Sequence, residues 1–241
     1  MSFLERFDFR EEYLAARPAK AGKILAVLRR EKKELASLSL LDVGCSQGGI
    51  LEYISPQFKR AVGIDLDLPI AGKKTRFQFV QGDGCFLPIA SGSFDVVLLN
   101  HILEHVSNKR RLLEETLRVL KPEGVCYLAV PNRLGWMEPH YRLPFLSWLP
   151  VCLADRYVHW TGRGTRYLDR MPTYGELRLL VRDFNWEGLS IELVKNAEEF
   201  FPPDDPIRQR AARVRLLPRW LLSLLLPLFP VWVLVLRKPA R

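Results

Sequence analysis

At 241 residues, 48% hydrophobic and 26% charged, the chain is long enough to bury one domain core and too apolar to be a disordered one. A formal net charge of +9 favours contact with something anionic, whether nucleic acid, lipid headgroup or phosphorylated molecule, without choosing among them. Cys45, Cys85, Cys126 and Cys152 have no metal-ligand spacing and nothing suggests a disulfide framework, so reduced thiols in a cytoplasmic protein are expected.

The N-terminal MSFLERFDFREEY has no apolar run and does not read as a secretory signal. Residues 11–34 suggest a helix, with Leu14, Ile24, Leu25 and Leu28 on an intermittent apolar face among solvated Arg and Lys. Strand–helix alternation begins at residue 38. Strands are expected at 40–43, 60–64, 77–80, 94–100 and 125–130, with a helix over 103–120 between the fourth and fifth. The turn Ser91-Gly92-Ser93 and the breaker Pro122-Glu123-Gly124 bound the later strands. Such alternation predicts an α/β fold, a Rossmann-like and mostly parallel sheet with helices on both faces.

Past Pro131 the pattern breaks. Seven aromatic residues between 136 and 167 are interleaved with arginines and prolines, which reads as a cap inserted after the fifth strand. Thr173 with Glu176 has capping-box spacing and predicts a helix from 173 to 184. Further strands are expected at 189–194 and 231–236, the latter completing a seven-stranded sheet. One domain results, divided into an N-terminal helical segment (1–37), a cofactor-binding core (38–132), a cap (133–172) and C-terminal strands with an apolar helix (173–241).

The run LLDVGCSQGG (40–49) is built to hold a polar ligand at a helix N-terminus. In the dinucleotide register its glycines would be Gly44, Ser46 and Gly49, and Ser46 puts a Cβ where a pyrophosphate would sit. S-adenosylmethionine, with no phosphates, tolerates that serine. Asp65 follows Gly44 by 21 positions and fits the ribose of either ligand. Asp83, after the third strand, adds a carboxylate beside an adenine pocket. Three acids at three successive strand ends line the edge where open α/β sheets bind ligands.

With these pieces in order, the chain resembles the class I S-adenosylmethionine-dependent methyltransferases, in the broad group of ubiquinone-pathway and small-molecule enzymes. The matching runs are LLDVGCSQGG (40–49), VGIDLD (62–67), QGDGCFLP (81–88), SGSFDVVLLNHILEHV (91–106) and LRVLKPEGVCYLAVPN (117–132). The resemblance implies S-adenosylmethionine as cofactor. Asp42, Gly44, Cys45, Ser46 and Gly48 would shape the methionine end. Asp65 and Leu66 would hold the ribose, and Asp83 with Gly84 the adenine. Asn100 and His101 would lie beside the methyl-bearing centre. His105 and His140 are the candidate bases, and Glu138, His140, Tyr141 and Arg142 the candidate acceptor contacts. Local spacing of Glu104, His105, Glu138 and His140 demands no metal.

The acceptor expected is a small or lipid-like molecule, because the C-terminal half is apolar, aromatic and basic. RNA is the weaker alternative, since no RNA-binding motif is appended. A non-catalytic binding module is another. Residues 216–236 are long enough to suggest a membrane span, but Pro218, Arg219, Pro227 and Pro230 favour a helix plus a seventh strand. With Arg208, Arg210, Arg213 and Arg215 before it, that helix suits peripheral attachment to an anionic membrane on its cytoplasmic face.

Overall fold

The computed structural model describes residues 16–67 and 75–239. Leu14 and the N-terminal run read above lie outside them. A seven-stranded sheet has the order β3-β2-β1-β4-β5-β7-β6. Its strands are β1 (Ser39–Val43), β2 (Arg60–Asp65), β3 (Gln78–Gln81), β4 (Phe94–Asn100), β5 (Leu120–Pro131), β6 (Asn185–Gly188) and β7 (Val231–Arg237). The pairs β1–β2, β1–β4, β2–β3 and β4–β5 are parallel, while β7 runs antiparallel to both β5 and β6. This is the mostly parallel architecture expected.

Strand alternation divides the core into two layers. In β4, Val96 and Leu98 face one layer and Val97 and Leu99 the other. The first layer receives Ile24, Val27 and Leu28 of helix α1 (Arg17–Glu31) and Leu51 and Ile54 of the short α2 (Leu51–Ile54). The second receives Leu112, Leu113 and Val119 of α3 (Lys109–Val119). Among the described residues both faces are covered, and the carboxyl edge of the strands with the loops above it is the ground where open α/β sheets bind ligands.

Three expectations are corrected. The helix expected from 103 begins only at Lys109, where Asn108 accepts a hydrogen bond from the Arg111 amide and caps it. Residues 101–108 are therefore loop, which brings His105 to the sheet edge. The strand expected at 189–194 is instead α6 (Ser190–Lys195), following β6. Leu189, Leu193, Ala197 and Phe200 are buried together at helical spacing, a period the short apolar run concealed. The strand expected at 125–130 starts five residues earlier, because residues 121–124 form an irregularity in the ladder between Leu120 and Val125 rather than a break.

The capping box at Thr173–Glu176 is present and opens α5 (Tyr174–Leu180). Between β5 and α5, the segment 133–172 holds α4 (Val151–Trp160) and a small core of its own, in which Tyr141, Leu143, Leu146, Ala154 and Val158 are buried. After α6 come α7 (Ala197–Phe200), α8 (Pro206–Val214) and α9 (Arg219–Leu225). Among the described residues no helix is long and apolar enough to cross a membrane.

Candidate active site

The loop after β1 turns through left-handed conformations at Gly44 (φ 77°), Ser46 (φ 51°) and Gly48 (φ 72°). At Gly44 an added Cβ would stand 2.5 Å from Ile102, and at Gly48 2.1 Å from the Phe77 ring, so both positions need glycine. Asp65, at the end of β2, holds this loop. Its Oδ2 accepts a hydrogen bond from the Ser46 amide at 2.7 Å, and its Oδ1 one from the Asp67 amide at 3.1 Å. Asp83 accepts from the Cys85 amide at 2.8 Å, which shapes its own turn. Leu66 is exposed beside Asp65, and Gln81 donates to its carbonyl at 2.9 Å. Cys45 is buried, and burial followed by the charges of Asp42 and Asp65 pushes its thiol pKa up, so it stays a thiol.

Asp42 is buried at the end of β1. Burial raises its pKa from an ordinary 3.8 to about 7, with Arg17 opposing the rise and Asp65 adding to it. Arg17, which sequence reasoning missed, sits at the start of α1 and has its own pKa lowered by burial to about 10. The loop between β1 and α2 therefore has a cation and a carboxyl at its flank and no Lys or Arg within residues 42–49. That donor set suits an amino-acid end better than a pyrophosphate.

Because the folded chain holds the Asp42 proton where the unfolded chain does not, this group's stability contribution is present below about pH 4. It is lost as pH rises through about 7. Asp42→Asn is expected to flatten the fall in Tm between about pH 4 and about pH 7, measured by thermal unfolding. Equal slopes in the two proteins would contradict the assignment.

A second cluster stands above the ends of β4 and β5. His101, after Asn100, adopts φ 58°, and its amide donates to the Ala129 carbonyl at 3.0 Å. Its Nδ1 lies 3.4 Å from Oε1 of Glu104, which is buried. Burial alone would raise the Glu104 pKa, but His101, His105 and His140 around it outweigh burial and hold it below the ordinary glutamate value. Burial lowers the His101 pKa, against Glu104.

His105 Nδ1 lies 2.6 Å from Asp169 Oδ1, and His140 Nδ1 lies 3.0 Å from Glu138 Oε1 and 3.6 Å from Asp169 Oδ2. The two rings meet edge-on with centroids 4.8 Å apart. Glu138 is fully buried and also accepts from the amides of His140 (2.8 Å) and Tyr141 (2.5 Å), which fixes the turn carrying His140. Burial works to lower the His140 pKa, but the Glu138 hydrogen bond and the charges of Asp169, Glu138 and Glu104 outweigh it and raise the pKa above 6.5.

The structure thus joins His101, Glu104, His105, Glu138 and His140, which the sequence scatters over forty positions. It does not bring Tyr141 and Arg142 into this group. Tyr141 is buried in the cap's own core with its hydroxyl donating to the Arg166 carbonyl, and Arg142 is exposed. Asp169 was missed, being one acid among cap arginines. It arrives because the Arg170 amide donates to the Glu104 carbonyl at 2.9 Å, tying the cap's end to the loop after β4. The ligand atoms of Glu104, His105 and His140 lie within 4.8 Å of one another, as do those of Glu138, His140 and Asp169, so the cluster has the chemistry of a divalent-cation site as well as of a proton relay.

Residues 41–128 match the family model described as a methyltransferase domain. A probable S-adenosylmethionine-dependent methyltransferase of Mycolicibacterium smegmatis is 30% identical over 112 residues, 45% of this chain and 44% of that protein. A demethylmenaquinone methyltransferase of Lactococcus lactis is 35% identical over 132 residues, 48% of this chain and 52% of that protein. The chain spans about half the length of the curated relatives it matches. Among solved structures, the plantazolicin methyltransferase BpumL, in complex with a substrate analogue and SAH, superposes with a TM-score of 0.59 at 19% identity. The match covers 98% of this chain and 89% of that one, and it bears on the fold alone. Residues 41–128 are thus similar to a methyltransferase domain, and the chain has a fold shared with a solved methyltransferase.

Proposed function

We propose that the protein transfers the methyl group of S-adenosylmethionine to a small-molecule or lipid-like acceptor. The observation that carries this reading is the meeting, at one sheet edge, of a glycine loop held by Asp65 with half-buried histidines on buried carboxylates. Bound S-adenosylmethionine supplies a sulfonium-activated methyl group, so the protein need only orient the acceptor and remove its proton. Arg17 offers a cation to the carboxylate of the methionine end, and Asp42 a carboxyl to its ammonium. Asp65 accepts from the ribose hydroxyls while it continues to hold the Ser46 amide. Asp83, Gly84 and Cys85 border the adenine, and Asn100 and His101 flank the reacting centre.

His140 is the general base of this reading. In this reading Glu138 accepts a hydrogen bond from Nδ1–H of His140, the tautomer that leaves the lone pair on Nε2. Asp169 and His105 support the same ring from the other side, and Glu104 stabilises the imidazolium that proton transfer creates.

The lipid-like class draws support from the C-terminal surface. Trp220 and Leu224 share one face of α9, and with Leu216 and Leu228 they are exposed, in a stretch that follows the arginines of α8 in the chain. Such a surface suits an anionic membrane face without a span. Methyl-labelled cofactor incubated with the protein and fractionated cell extract tests the reading. Label is expected in the organic-soluble fraction. Label in RNA would replace the acceptor class, and cofactor binding without transfer to any fraction would favour a binding module.

A further inference from the structure

A pocket of about 570 Å³ lies between α3, the cap and α5, apart from the glycine loop. Its size is that of a small-molecule site. Five basic side chains line it against two acidic ones, Asp169 and Glu176. Arg110 is neutralised by Glu114 and Asp183, and Arg182 approaches Asp183. Lys109, Arg133 and Arg170 make no ion pair among the described residues. Lys109 donates to the Val106 carbonyl at 3.0 Å and Arg133 to the Ser147 carbonyl at 3.4 Å. Lys109 and Arg133 feel the charge of Glu176, and Lys109 also that of Asp169 and Glu104, yet Lys109, Arg133 and Arg170 outnumber the two acids of the wall and leave the concavity net positive, which favours an anion.

The rest of the wall is apolar, from Leu149, Val151, Met171, Leu179 and Leu180. Tyr167 adds a buried hydroxyl with no hydrogen-bond partner among the described residues, a polar atom that a bound ligand would satisfy. Asp169 belongs to this wall and to the histidine cluster at once, through its 2.6 Å contact with His105 Nδ1. The pocket therefore abuts the candidate base.

We propose that this pocket is the acceptor site and that it takes an anionic amphiphile, a molecule with a phosphate or carboxylate on an apolar body. The anionic group would lie against Lys109, Arg133 and Arg170, and the apolar body against the leucines and Met171. The inference rests on the methyltransferase reading for the word acceptor; the anionic specificity stands on the pocket alone. It also gives the positive charge of the cap a purpose other than nucleic-acid contact.

Calorimetric titration of the full chain tests it, with decyl phosphate, decanoate, 1-decanol and inorganic phosphate as probes below micellar concentration. At least one of the two anionic amphiphiles is expected to bind roughly tenfold or more tightly than 1-decanol and inorganic phosphate. The preference between them separates a phosphate from a carboxylate head. Arg170→Gln and Arg133→Gln are each expected to weaken that binding by roughly tenfold, with S-adenosylhomocysteine affinity unchanged as the control for folding. Binding of 1-decanol equal to that of both anions, or indifference to both substitutions, would overturn the proposal. Intact binding of the anions with no binding of S-adenosylhomocysteine would overturn the assignment to a methyl acceptor and leave an anionic-ligand site.

Discussion

Asp65→Ala is expected to weaken S-adenosylmethionine binding by roughly 30- to 150-fold, about 2–3 kcal/mol. Two losses combine in that figure. The carboxylate no longer accepts from the ribose hydroxyls, and the Ser46 amide loses its partner at 2.7 Å, so the left-handed turn between Gly44 and Gly48 is no longer held open for the ligand. Asp65→Asn separates the two, because an amide oxygen still accepts from Ser46 while the charge is gone. It is expected to fall between wild type and the alanine variant when all three are titrated calorimetrically. An alanine variant with wild-type affinity would remove Asp65 from the cofactor site.

His140→Ala is expected to leave cofactor affinity nearly intact and to lower turnover by about 100-fold or more, the usual contribution of a positioned general base. The pH profile adds a signature that lost packing would not produce. Because Glu138, Asp169 and Glu104 raise the His140 pKa above 6.5, activity should fall as pH drops through a value above the ordinary imidazole range. Glu138→Gln removes the raising charge and should move that acid limb to lower pH. Dialysis against EDTA should leave turnover unchanged. Loss of turnover that zinc restores would transfer the role to a cation held by Glu104, His105 and His140. Equal loss of cofactor affinity in His140→Ala and Asp65→Ala would contradict the division of labour between the two clusters.

The sheet was legible because its strands are short apolar runs ending in turn residues, and β4 is bounded as its sequence suggests. What failed was local pattern overruled by context. Residues 189–194 read as a strand because six residues hold too little of a helical period. Their alignment with Ala197 and Phe200 reveals it only once the helix is packed on the sheet. The start of α3 was placed too early because Leu103 looks like the first apolar position of that helix, whereas it is buried from a loop.

The position of Asp42, Asp65 and Asp83 along one sheet edge was legible for a related reason. They sit at strand ends, where chain order and sheet order are linked by the crossover rule. His105, Glu138 and His140 were legible as single candidates, but their meeting was not. His105, His140 and Asp169 come from three segments that meet only through the cap's return to Glu104, and nothing in the spacing of Asp169 announces it. Arg17 was not singled out in the sequence. It is buried because α1 lies across the glycine loop, with Gly49 packed against its side chain.

The central claim is that the loop at 40–49 holds S-adenosylmethionine. Titration of the wild-type chain with S-adenosylhomocysteine and, separately, with NAD tests it most directly. The account predicts saturable binding of S-adenosylhomocysteine at one site per chain, weakened in Asp65→Ala, and no detectable binding of NAD. Binding of NAD without S-adenosylhomocysteine would contradict it.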